Sequence, residues 1–142
     1  GYMRVHATLA ARLNRNLTAH SGLSGPDYEV LVHLSEAPRG TLRAFELGRA
    51  LHWEKSRLSH HLRRMTVRGL ITRNGCDTDR RGIEIVITKT GRQAIERAAA
   101  NHVADVRRYF IDALSPAQLR HLGAIVAAVQ ARLDEDPVPA CE

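Results

Sequence analysis

The sequence predicts a mainly α-helical fold with a small β-wing, and three observations carry that expectation. Apolar residues recur at three- and four-residue spacing through most of the 142 residues, the period of helices that bury one face. That period gives way to alternation at Ile83, Ile85 and Ile87, separated by Glu84 and Val86, which is the pattern of a half-buried strand. The charge is also concentrated. From Arg39 to Arg92, eleven Arg and two Lys stand against five acids, an excess of +8 in a chain whose total is +6.

Val5, Leu9, Leu13 and Leu17 repeat at every fourth position and predict a first helix ending near His20-Ser21-Gly22. Ser24 followed by Pro26 is an N-cap with a proline in the first turn, so a second helix should run to about Ala37, where Pro38 and Arg39-Gly40 stop it. Thr41 to Arg43 has the length of a brief edge strand. A short third helix follows from Ala44, with Leu47, Ala50 and Leu51 inward and Gly48 permitting close approach of another helix. It ends by His52-Trp53, and a fourth helix begins almost at once, the tight angular pairing of a helix-turn-helix.

That fourth stretch, Glu54 to Gly69, has the clearest chemistry in the chain. Leu58, Leu62 and Met65 form one buried stripe, and at about 100° per residue the opposite face falls on Ser56, His60, Arg63, Arg64 and Val67. This face carries no acid. Such donors suit phosphates and base edges, because Arg pairs bidentately with a phosphate or guanine while Ser and His add shorter contacts. A solvated cationic face would carry the same residues, so the neighbouring segments must decide. After Gly69 come Leu70-Ile71 and then the Ile83–Ile87 alternation, with a polar, turn-rich segment from Gly75 to Gly82 between them. Two short antiparallel strands with a charged tip directly after a helix-turn-helix make a winged helix.

Thr88 can cap a long helix from about Lys89 to Leu114, and Ser115-Pro116 a last one carrying Leu119, Leu122, Ile125, Val126, Val129 and Leu133. Together with the first helix, these present more apolar surface than a small winged helix covers, and the economical partner is a second copy. The expected division is a dimerisation helix over 1–22, a winged helix-turn-helix lobe over 23–90, dimerisation helices over 91–135 and an acidic, proline-containing tail over 136–142.

Composition excludes several other classes. Aromatics make up 4% of the chain, so the core should be aliphatic, and a pI of about 10.1 favours an anionic partner. Cys76 and Cys141 are the only cysteines, with neither the spacing of a zinc site nor that of a disulfide framework. The histidines His6, His20, His33, His102 and His121 are scattered without ligand spacing, so no metal or other cofactor is expected. No phosphate-binding, nucleophile or paired-carboxylate motif is present, and an enzyme is not expected. No apolar run approaches the roughly 18 residues of a membrane span and no signal-peptide core opens the chain, which points to a cytoplasmic protein without a membrane partner.

From Leu47 to Gly91 the sequence resembles the MarR family of bacterial transcription regulators. The resemblance rests on ELGRAL, on the basic helix ending RRMTVRGLI, on Asp79-Arg80-Arg81 before IEIVIT, and on Thr88-Lys89-Thr90-Gly91. The helices on either side extend it over nearly the whole chain. It implies a homodimer that binds a palindromic operator in double-stranded DNA, usually as a repressor, with recognition helices in the major groove and wings in the minor groove. It also implies release by a small, often aromatic ligand. Carried over by position, Ser56, Arg57, His60, His61 and Arg64 would face DNA, with Arg80 and Arg81 on the wing and Asp79 orienting it. His60 stands where an Arg is common, which leaves base preference open. His6, Tyr28, His33 and Phe45 lie on segments that could line an effector cleft, although a packed core accounts for them equally well. Two other readings stay open: a winged-helix module docking an acidic protein without an operator of its own, and a thiol-based redox regulator acting through Cys76.

Overall fold

The computed structural model describes residues 1–75 and 82–135. In chain order these form α1 (Tyr2–Ser21), α2 (Gly25–Glu36), β1 (Thr41–Arg43), α3 (Ala44–Leu51), α4 (Lys55–Val67), β2 (Ile71–Asn74), β3 (Glu84–Ile87), α5 (Lys89–Tyr109) and α6 (Pro116–Glu135). The expected class, mainly helical with a small wing sheet, is the one observed.

Local chemistry sets most of the boundaries. Ser24 Oγ accepts from the Asp27 N–H at 3.2 Å while Asp27 Oδ2 accepts from the Ser24 N–H at 2.9 Å, a reciprocal cap at the start of α2 of a kind that stabilises by about 1 kcal/mol. The helix then buries Val30, Leu31 and Leu34. Three residues separate α3 from α4, and the turn is made by His52 in the left-handed region, φ 54°. Gly48 faces Leu58 so closely that an added Cβ would lie 3.2 Å from its Cδ2, which is the close helix approach its position suggested.

The sheet is antiparallel with order β1-β3-β2. Ile85 and Ile87 point into the core while Glu84 is exposed, as the alternation predicts. Thr41 to Arg43 is indeed an edge strand, with Leu42 opposite Ile85. Thr88 then ties the sheet to both neighbouring helices. Its Oγ1 donates to the Gly69 carbonyl at 2.6 Å and accepts from the Gly91 N–H at 3.0 Å, and its own N–H donates to the Leu70 carbonyl at 3.1 Å. Gly91 packs against that Leu70 carbonyl so tightly that a Cβ would collide with it. The end of α4 is thereby fixed to the start of α5.

One aliphatic core joins Leu17 and Leu23 to Val30, Leu31, Leu34, Leu47, Leu58, Leu62, Met65, Leu70, Ile71, Ile85, Ile87, Ala94, Ile95 and Ala98. Beyond Ala98, α5 runs along α1, where Asn16 Nδ2 donates to Asp105 Oδ2 at 3.0 Å. The helix stops earlier than its apolar pattern suggests. It ends at Tyr109, Phe110 turns away at φ −130°, and a single 3-10 turn spans Ile111–Ala113 before α6. Pro116 keeps Ser115 out of helical geometry and so separates α6 from the turn before it, but it lies too far along the chain to end α5 at Tyr109. The new helix is capped instead by Ser115, whose Oγ accepts from the Gln118 N–H at 3.3 Å.

α6 buries none of its residues. Ile125, Val126, Val129 and Leu133 are each more than half exposed, as are Val103 on α5 and Tyr2, Met3 and Val5 on α1. No helix of the described residues is long and apolar enough to cross a membrane.

Candidate nucleic-acid interface

The outer face of α4 follows from which of its residues the core accepts. Leu58, Leu62 and Met65 are buried at 6%, 1% and 0% exposure, which fixes the rotation of the helix. Ser56, Arg57, His60, Arg63 and Arg64 are left exposed on the other sides. Val67, near the last turn of the same face, is 84% exposed. From Lys55 to Arg68 the chain has no acid, so the surface is uniformly cationic and donor-rich.

One expected contact is not on that face. His61, placed among the DNA-facing residues by the resemblance, is 6% exposed and lies in the core. It stands three residues after Leu58 and directly before Leu62, so helical geometry turns it towards the buried stripe. Its Nε2 sits 3.0 Å from Asp27 Oδ1, off the line of a straight hydrogen bond, and its ring meets the edge of Trp53 at 5.3 Å. The imidazole therefore belongs to the support of the interface.

Asp27, which the sequence reading did not single out, is the anchor of this support. It is 2% exposed, accepts from the Ser24 N–H, and pairs through Oδ2 with Arg68 Nη1 at 2.7 Å. Arg68 Nη2 also donates to the Gly22 carbonyl at 2.9 Å, pinning the end of α4 to the start of α2. Burial alone would raise the Asp27 carboxyl, but the Ser24 N–H and Arg68 outweigh it and hold the group below its usual range. For His61 burial acts first and lowers the pKa; Asp27 pulls the other way, and the Arg64 and Arg57 charges push it down again. The net effect lowers the pKa of the imidazole from its ordinary value and so favours the neutral ring.

Two of the exposed cations are held in place. The Arg57 guanidinium lies over the Trp53 ring at 4.2 Å, a stacking arrangement that restricts a side chain otherwise rich in rotamers. Arg64 Nη2 donates to His61 Nδ1 at 3.2 Å. The sequence reading missed these partners because Trp53 lies off α4 and the resemblance sets His61, though on it, on the DNA side. A helical wheel can show which way a residue points but not what stands behind it.

A sequence model of the MarR family matches residues 21–82. Among solved structures, AbsC, a MarR family transcriptional regulator from Streptomyces coelicolor, is 37% identical over 95% of this chain and 90% of its own, with a TM-score of 0.86. The chain belongs to the MarR family. A second MarR family regulator from the same organism, Sco3205, was solved in complex with DNA. It is 33% identical over 97% of this chain and 86% of its own, with a TM-score of 0.87. No curated protein sequence matches significantly. AbsC and Sco3205 are both MarR family transcriptional regulators.

Asp79, Arg80, Arg81, Cys76 and Cys141 lie outside the described residues. Among the residues suggested for an effector cleft, Tyr28 on α2 is partly buried against His102 of α5, with ring centroids 4.5 Å apart. His6 is exposed on α1 beside Tyr2, Phe45 is 54% exposed at the start of α3, and His33 is partly buried on α2. Among the described residues no ring contact joins any two of the four. No group of three or more metal-ligating side chains is found among the described residues.

Proposed function

We propose that this MarR-family chain is a homodimeric repressor that binds a palindromic operator in double-stranded DNA. The observation that carries the reading is the outer face of α4: Ser56, Arg57, His60 and Arg64 stand exposed on a helix whose opposite stripe locks it into the core. Arg63, exposed on the same face, joins them as a phosphate or base contact. Arg81 would enter the adjacent minor groove, which attracts Arg where it is narrow, with Asp79 as its orienting residue and Arg80 as a further DNA contact. The DNA complex of Sco3205 supports DNA as the anionic partner.

The second copy is argued from apolar surface. α6 buries none of its residues in its own chain, and Tyr2, Met3 and Val5 add to the exposed apolar surface. Contiguous apolar surface of this kind marks an interface, and two-fold pairing is the commonest way to close one. Residues 1–22 and 91–135 then supply the dimer and 23–90 the DNA-binding lobe. Release by a small aromatic ligand is the remaining part of the proposal, with Tyr28 and His102 forming one wall where α2 meets α5.

A gel shift with the DNA upstream of the protein's own gene tests the reading. A discrete complex that resists competitor DNA is expected, and its loss on addition of small aromatic acids identifies the effector class. Binding no tighter than to unrelated duplex at every salt concentration favours a protein-docking role for the basic face instead.

A further inference from the structure

Both restrained cations of α4 lead back to one buried ring. Arg64 Nη2 donates to His61 Nδ1 at 3.2 Å, so the ring proton is on Nε2, the atom 3.0 Å from Asp27 Oδ1. Trp53 packs edge-on against the same ring and carries Arg57 on its face. Asp27 is immobile, held by the Ser24 N–H and by Arg68. A flexible arginine on an exposed helix loses rotamer freedom when it binds DNA, and a fixed acceptor behind it removes part of that cost beforehand.

We propose that His61, seated on Asp27, is a positioning residue that aims Arg64 at the DNA, and that protonating His61 releases Arg64. The inference rests on the reading of α4 as the DNA-contacting helix. An imidazolium donates from both nitrogens, so on protonation Arg64 loses its acceptor and faces a like charge at hydrogen-bond distance. The charged groups around His61 are Asp27 from α2 and Arg57 and Arg64 from α4, with Arg68 reaching it only through Asp27. Burial and the two arginines disfavour the protonated ring against the pull of Asp27, and the balance lowers its pKa.

The test is a double-mutant cycle on operator binding, using a duplex selected from a random-sequence pool by the wild-type protein. The variants are His61→Phe, which keeps a ring but removes the acceptor, His61→Asn, whose Oδ1 can accept from Arg64 and cannot titrate, and Arg64→Ala. Each is first checked for a wild-type circular dichroism spectrum. His61→Phe should weaken binding about tenfold at pH 7.5, close to Arg64→Ala, and should cost nothing further in the Arg64→Ala background. His61→Asn should stay within about threefold of wild type at pH 7.5 and, because it has no ring to protonate at this position, should bind better than wild type at pH 5.5. Equal losses from His61→Phe with and without Arg64 overturn the proposal, as does an Asn variant whose pH profile parallels wild type. If Arg64→Ala itself leaves affinity unchanged, the DNA role of Arg64 falls and the proposal with it, a result distinct from failure of the positioning step alone.

Discussion

α4 and α6 are both amphipathic helices with one face open to solvent, and they differ in what that face carries. α4 spends its apolar stripe on the chain's own core, where Leu62 and Met65 are 1% and 0% exposed, and turns cations outward. α6 is the reverse: none of its residues is buried, and Ile125, Val126, Val129 and Leu133 are left uncovered. The uncovered chemistry of each helix names its partner. Exposed donors on a rigid, packed helix await an anion, and exposed aliphatic side chains await another apolar surface.

The sharpest way to break this comparison is to charge the open face of α6. Ile125→Asp with Val129→Asp should convert the dimer to monomers by sedimentation and lower operator affinity by about two orders of magnitude, because two linked half-site contacts become separate events. A dimer surviving both changes removes α6 from the interface. Leu62→Ala acts on the other side of the contrast. It should cost about 2–5 kcal/mol of stability in denaturant unfolding, the range for a large-to-small change in a packed core, whereas Leu133→Ala on α6 should cost the isolated chain far less.

Much of this contrast was legible in the sequence. Leu58, Leu62 and Met65 at their helical spacing oriented α4 correctly, and the wheel built on them left His61 off the exposed face. Only position-by-position transfer from the family put His61 on the DNA, whereas its helical spacing, three residues after Leu58 and four before Met65, sets it beside the buried stripe. The end of α5 was misplaced because the apolar spacing continues through Phe110 and Ala113, while the backbone turns away at Phe110 into a 3-10 turn over Ile111–Ala113. The Asp27–His61–Arg64 connection spans 37 residues of sequence. Periodicity is blind at that range, since such contacts depend on how α2 crosses α4.

Smaller effects sharpen the account of the basic face. Arg64→Ala should cost about 1–3 kcal/mol of operator affinity, unevenly across operator variants, if the side chain reaches base edges. A uniform loss in a panel of variant duplexes would reassign it to a phosphate. Arg81→Ala should weaken binding to all sequences and reduce the slope of log affinity against log salt by about one unit. An unchanged slope in a folded variant assigns Arg81 to holding the hairpin through Asp79. Stability carries a further mark of the buried imidazole. Because the His61 pKa is lowered on folding from its ordinary value of 6.5, the unfolded chain binds the extra proton, so its contribution is full above that value and declines as the pH falls towards the folded pKa. The melting temperature should therefore drop more steeply on acidification in wild type than in His61→Asn.

Hydroxyl-radical footprinting on the selected duplex, combined with sedimentation of the same complex, tests the central claim most directly. A homodimer with two outward-facing α4 helices should protect two related segments on one face of the DNA, centred roughly 34 Å apart or a multiple of that distance, with two chains per duplex. A single protected half-site at saturation, or one chain per duplex, would contradict it.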